Sequence, residues 1–232
     1  MQYHYLLAGL DDLQLGHKTK LPFDKLLELL EEQMSEADFA YVRFLRKHND
    51  DPDILALMEE DAVLDRYRET SLSEEDFRTQ LLYEQGMKSK NRFLRHWYEF
   101  NLNLNNVLAA AVCVKHGYDL QKVIVGDNET AQLLRKYGVA KNANLAAILP
   151  ELKEIVAVSA TENLLEREKQ IDALRWQWLE QYTLFKYFEL DNVLAYYLQS
   201  EILHRWDDLT REQGEQIFRS LLAEMKKDVK FE

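Results

Sequence analysis

Apolar side chains at Leu164, Ile171, Leu174, Trp178, Tyr182, Phe185 and Phe188 recur in steps of three, four or seven, the spacing that gathers them on one face of a helix. The opposite face is ionic: Glu166/Lys169 and Asp172/Arg175 are three-apart pairs that support a helix, and Ser159 with Glu162 has capping-box spacing. The pattern predicts a helix of about 25 residues, roughly 37 Å long. Asp191 or Asn192 is the expected N-cap of the next helix, which carries Val193, Leu194, Leu198 and Ile202 to Trp206, with Glu201 four residues ahead of Arg205. Together the two predict an antiparallel helical hairpin.

The same reading extends along the chain. Tyr3 to Leu10 fits either a buried helical turn or an extended segment. Pro22 opens a helix bearing Phe23, Leu26, Leu27, Leu29 and Leu30; Ser35 caps a second with Phe39, Val42 and Leu45; Asp51-Pro52 begins a third. Ser73 followed by Glu74, Glu75 and Asp76 is a strong helix start, because carboxylates favour the positive end of the helix dipole, and that helix is expected to run to Gly86. A further helix from Ser89 to His116 is closed by Gly117, with an expected break at Asn101-Leu-Asn-Leu-Asn-Asn106, since Asn competes for its own backbone. Val123 to Val125 reads as a brief strand, Glu129 to Tyr137 as a helix stopped by Gly138, and Asn144 to Val156 as a helix disturbed by Pro150. Thr210 and Gln213 cap a last helix whose stripe is Ile217, Phe218, Leu221, Leu222 and Met225, with Lys226 and Lys227 at its negative end.

Composition supports an all-α class. Seven Gly and three Pro in 232 residues are too few for the frequent turns of a β-rich fold, and 47% hydrophobic residues suffice for a core. The expectation is a single all-helical domain over 1–232, built of hairpins at about 20–70, 73–118 and 159–227. Asn105-Asn106-Val107-Leu108-Ala109 recurs as Asp191-Asn192-Val193-Leu194-Ala195, with aromatic residues before both copies, and Asp53-Ile54-Leu55-Ala56 is a fainter echo.

Charge narrows the function. A net charge of −12 opposes nucleic acid and anionic headgroups, which both select clustered Lys and Arg. No run of 18 uncharged apolar residues is present, so direct membrane insertion is not expected and a membrane link would run through a partner. The single cysteine, Cys113, excludes an internal disulfide, and its apolar neighbours point to core packing rather than to a reactive thiol. A phosphate-binding glycine loop is missing; Gly126-Asp127-Asn128-Glu129 reads as a helix cap. Glu201-Ile-Leu-His204 has the E-x-x-H spacing of di-iron carboxylate bundles, yet it stands alone, and His96-Trp-Tyr-Glu99 runs in the reverse order. Glu201 and His204 are therefore candidate metal ligands set against a structural polar cluster of Glu201, His204, Arg205 and Trp206. The acids Glu168 and Asp172 read as part of a solvated charge ladder rather than an acid–base pair, and Trp176/Trp178 and Tyr196/Tyr197 as core or interface rather than the lining of a ligand pocket. No catalytic residue and no cofactor are expected.

Glu166-Arg-Glu-Lys-Gln-Ile-Asp-Ala-Leu-Arg-Trp176, Phe188-Glu-Leu-Asp-Asn-Val-Leu-Ala-Tyr-Tyr197, Glu201 to Trp206, the closing helix and the opening Tyr-Leu-Leu-Ala-Gly-Leu together resemble the short bacterial C-subunit-like (subunit d-like) proteins of V/A-type rotary ATPases. The resemblance implies a fold of repeated antiparallel helical hairpins and a non-catalytic socket in the central stalk. That socket would join the rotor shaft of subunits D and F to the membrane proteolipid ring. It also implies a cytoplasmic location, peripheral to the inner face of the membrane. Two readings of other classes stand beside it: a helical metal-carboxylate oxidoreductase using Glu201 and His204, and a soluble helical adaptor.

Overall fold

A computed structural model describes residues 3–139 and 143–208, and these form helices with no strand among them. In chain order they are α1 (His4–Ala8), α2 (Phe23–Gln33), α3 (Glu36–Leu45), α4 (Pro52–Met58), α5 (Asp61–Glu69) and α6 (Glu74–Met87). After these come α7 (Arg92–His116), a 3-10 turn at Leu120–Lys122, α8 (Glu129–Tyr137), α9 (Ala143–Ile148), α10 (Leu152–Ser159), α11 (Leu164–Thr183) and α12 (Leu190–Asp208). The chain divides into two compact units, one of Met1–Glu36 with Trp178–Glu232 and the other of Ala37–Gln177. The expected hairpin at 73–118 falls inside the second unit, whereas the ranges 20–70 and 159–227 each contribute to both.

Helix α7 is the axis of the Ala37–Gln177 unit, packed against α6, α8 and α10. Its start is set by Asn91, whose Oδ1 accepts the Leu94 N–H at 3.1 Å. Its end is set by Gly117 at φ 71°, a left-handed conformation that costs glycine no Cβ contact. Phe93, Leu94, Leu102, Leu104, Val107 and Ala110 are buried along it, each large apolar side chain contributing about 1.5–3 kcal/mol. Helix α6 begins as its sequence indicates, with Ser73 Oγ accepting the Asp76 N–H at 3.1 Å. It runs past the expected stop at Gly86 to Met87. Gly86 is a point of close approach instead, since a Cβ there would lie 2.2 Å from Tyr98 Cγ on α7.

Four local expectations are corrected. The asparagine run does not break α7, because its amides find partners on other elements. Val123 to Val125 is not a strand. Pro150 separates two short helices, α9 and α10, rather than disturbing one. Ser159 belongs to the end of α10, its hydroxyl donating to the Val156 carbonyl at 2.7 Å; the residue that caps α11 is Asn163, whose Oδ1 accepts the Glu166 N–H at 3.2 Å.

In the unit of Met1–Glu36 and Trp178–Glu232, α12 packs on α2. Tyr197 is fully buried, and the Phe23 ring lies 5.7 Å from Tyr197 and 5.2 Å from His204. The undecided opening segment is helical as α1, with Leu6 buried. Helix α11 stops at Thr183, short of the predicted 188, and α12 starts at Leu190, ahead of the predicted Asp191/Asn192 cap. Between them Phe188 takes φ 62°, a strained value for a bulky side chain. It is held there by the Tyr3 N–H, which donates to its carbonyl at 3.2 Å, and by the His4 ring at 4.4 Å. The expected last helix, from Thr210, lies outside the described residues.

Candidate functional site

The proposed polar cluster sits on α12. About four turns into that helix, His204 places Nε2 3.0 Å from Thr19 Oγ1 and 3.3 Å from the Leu21 carbonyl, so the imidazole ties α12 to the segment preceding α2. The Tyr197 hydroxyl donates to Glu201 Oε1 at 3.4 Å, one helical turn away. Arg205 is exposed, with its guanidinium carbon 5.9 Å from the Trp206 ring centroid. Among the described residues no group of three or more His, Cys, Asp or Glu side chains is placed to hold a metal ion. The E-x-x-H pair thus meets a hydroxyl and a backbone carbonyl on its imidazole, and a phenol on its carboxylate.

The densest polar construction lies in the other unit, on the asparagine run of α7. Asn106 Nδ2 donates to the Val125 carbonyl at 2.7 Å, and the Val125 N–H returns a bond to Asn106 Oδ1 at 2.9 Å. Next to it, the Gly126 N–H donates to Gln80 Oε1 at 3.1 Å, and Arg135 Nη2 donates to the carbonyls of Ile124 and Gly126 at 2.9 and 2.7 Å. Asn105 Nδ2 donates to the Tyr83 hydroxyl at 2.7 Å, and Asn128 Nδ2 donates to Asn103 Oδ1 at 2.8 Å. Asn101 Nδ2 donates to the Trp97 carbonyl at 2.8 Å, while its Oδ1 accepts from Arg175 Nε at 2.9 Å. Arg175 also pairs with Asp172 Oδ1 at 3.1 Å, and that carboxylate is only 1% exposed. Burial raises the Tyr83 phenol above its ordinary range, against the opposing influence of Arg175 and the Asn105 bond. An ion pair of this kind contributes to a specific packing more than to net stability, because removing two charges from water is costly.

Sequence reading took Asp172 for a surface rung and the asparagines for a weak point. The signal available was an unusual density of Asn within a helix flanked by aromatic residues, which marks amides with tertiary partners. Both the Glu166/Lys169 and Asp172/Arg175 pairs form as expected, at 3.3 and 3.1 Å.

Each unit also carries an open groove. In the Ala37–Gln177 unit a groove of about 540 Å³ is lined by Leu108, Val112, Cys113, Ile171, Arg167 and Arg175, among others. Cys113 is buried there, and burial followed by the nearby Asp119 raises its thiol pKa, which disfavours the thiolate that a nucleophile needs. In the other unit a groove of about 630 Å³ lies among Leu7 to Gln14, the end of α11 and the first turns of α12. Asp11, Asp12 and Glu180 line it together with Tyr187, Phe188 and Tyr196. Burial first, then Asp11 and Asp12, push the Tyr196 phenol up to about 12, and its hydroxyl donates to the Asp11 carbonyl at 3.2 Å. Tyr196, weighed from sequence as pocket lining or as core and interface, lines the second groove; the rest of both linings comes from segments far apart in the chain.

Among the described residues no helix is long and apolar enough to cross a membrane. No curated protein and no solved structure matches the chain. One family model does, over residues 61–229, which is most of the sequence and spans the asparagine-bearing α7 and both helices that carry the ionic ladder and the polar cluster. The chain therefore belongs to the family described as Protein of unknown function (DUF2764).

Proposed function

We propose that this protein is a non-catalytic central-stalk subunit of a V/A-type rotary ATPase, joining the shaft formed by subunits D and F to the membrane proteolipid ring. The observation that carries the reading is how its side chains are used. The residues best equipped for chemistry are committed internally: His204 to Thr19 and Leu21, Glu201 to Tyr197, Arg175 to Asp172 and Asn101. Large apolar groups are instead left at the surface, including Phe185, Tyr187 and Leu184 between α11 and α12, which suits binding to protein better than turnover. The all-helical fold agrees with the resemblance; the segments that carry it lie at α1, on α11, on α12 and on the turn between these two, except the closing helix, which is outside the described residues. With a net charge of −12, contacts to shaft and ring would be made through protein surfaces bearing basic groups. The imidazole contacts of His204 weigh against the metal-carboxylate oxidoreductase.

The test is reconstitution of the ATPase in vesicles with and without the protein, following ATP turnover and ion uptake together. Without it, hydrolysis by the catalytic head should continue while ion uptake stops. Full coupled pumping in its absence would rule the role out.

A further inference from the structure

We infer that the groove in the unit of Met1–Glu36 and Trp178–Glu232 is a docking site for a Lys- or Arg-bearing apolar segment of a partner protein. Its walls combine aliphatic Leu7, Leu10 and Leu184 with the rings of Tyr187, Phe188 and Tyr196. Its charged lining is Asp11, Asp12 and Glu180, and among the described residues no Lys, Arg or His lines it; the exposed Lys20 reaches Asp11 Oδ1 from outside the lining, at 3.6 Å. Aromatic faces beside carboxylates attract an ammonium or guanidinium through both ring quadrupole and charge, while the aliphatic walls take up the stem that carries it. The phenol of Tyr196 stays protonated well into alkaline pH, so it adds a ring face without adding a charge.

A second observation concerns the floor. Asn192 lines the groove, and its Oδ1 is buried without a hydrogen-bond partner. A buried acceptor left unpaired is costly, so a docked segment whose donor reaches it offsets that cost. The matching residue of the other copy of the Asn-Val-Leu-Ala sequence, Asn106, already accepts a backbone N–H from Val125. Asn192 offers the same acceptor to a chain that is not yet there.

The size of the apolar surface selects a protein segment over a small amine. The turn that ends in the strained Phe188 presents two of the wall residues, Leu184 at 58% and Tyr187 at 69% exposure, and beside them, outside the lining, Phe185 at 83%. A diffusible cation would meet the carboxylates and leave that turn in water, whereas an amphipathic segment covers both. This inference is independent of the ATPase reading, because it specifies the chemistry of the partner and not its complex.

The experiment uses the full chain and two labelled synthetic amphipathic peptides with identical apolar faces, one with Lys and one with Glu on the polar face. Fluorescence anisotropy should show the Lys peptide binding in a salt-sensitive manner and the Glu peptide not binding. The double variant Asp11→Asn/Asp12→Asn should weaken the Lys peptide roughly tenfold. Leu184→Ser, which leaves the charges intact, should weaken it as well. The charge-matched control Glu31→Gln/Glu32→Gln, on α2, should bind as the parent does; circular dichroism checks that all variants keep their helix content. No binding of the Lys peptide, equal binding of the Glu peptide, equal loss in the control, or insensitivity to Leu184→Ser would each overturn the proposal. Displacement by spermine as effective as by unlabelled Lys peptide would overturn the protein-segment assignment in favour of a small amine.

Discussion

Asn106 and Val125 are joined by two hydrogen bonds of opposite direction, amide to carbonyl at 2.7 Å and backbone N–H to amide oxygen at 2.9 Å. One side chain therefore does for Val125 what a neighbouring strand would do. Ile124 and Val125 are buried, and a buried backbone group without a partner is costly, so an apolar β-prone triplet can stay outside any sheet only if a side chain supplies the bonds. An asparagine has one donor face and one acceptor face, the same pair that a peptide group offers.

Asn106→Leu keeps the branched heavy-atom shape of the side chain and removes both bonds, leaving the Val125 N–H and carbonyl buried and unpaired. The expected loss is about 2–4 kcal/mol, seen as a lower urea midpoint, with faster hydrogen exchange at the Val125 amide. An unchanged midpoint would show that water or a local shift satisfies those groups.

Gly86→Ala ought to strengthen an exposed helix, by about 1 kcal/mol on propensity alone. Here the added methyl would meet the Tyr98 ring at 2.2 to 2.7 Å, so the expected outcome is a net destabilisation of about 1–3 kcal/mol. Shrinking the ring with Tyr98→Leu in the same chain should make the two changes cost less together than the sum of their separate costs. Additive costs in a double-mutant cycle by thermal or urea unfolding would show that the ring yields without strain.

For Tyr196, the phenol holds its proton to about pH 12 in the folded chain, against an ordinary value of 10.0. Between those values the native state binds more protons than the unfolded state, so stability falls as pH rises through that window and is complete below it. Because the ring is only partly buried, the full value of about 1.4 kcal/mol per unit is screened to roughly 1–2 kcal/mol in total. Tyr196→Phe should remove that share of the alkaline decline in urea midpoint and delete one late phenolate step from the ultraviolet titration. A parent and variant that decline alike would place the cause elsewhere.

Much of the helical layout is legible in the residues themselves. Ser73 and Gly117 act within one turn of their own backbone, so the cap and the stop follow from local chemistry: the first accepts a free N–H and the second turns left-handed at φ 71°, whereas the cap of α7 is Asn91 and not the expected Ser89. The three- and four-residue spacing of apolar positions in α2 and α3 likewise states which face will be buried, because the period belongs to the helix and not to its neighbours; in α11 it does not, since Leu164 and Phe185 of the expected stripe are exposed while Asp172, Trp176 and Leu179 are buried beside Ile171.

Tertiary structure decided where polar groups find their partners. Asn101 and Arg175 are 74 residues apart and Asn106 and Val125 are 19 apart, yet these contacts turn a run expected to break α7 into its most heavily bonded stretch. It also decided that Gly86 is a point of close packing rather than a stop, that Asp172 is buried rather than a surface rung, and that Asn192 lines a groove while its counterpart Asn106 is bonded to the backbone of Val125. A residue's own type states which bonds it can make, and local propensity states which it makes when left alone. Only the packing of distant helices states which donor or acceptor comes within 3 Å, because that proximity is set by the burial of apolar faces elsewhere in the chain.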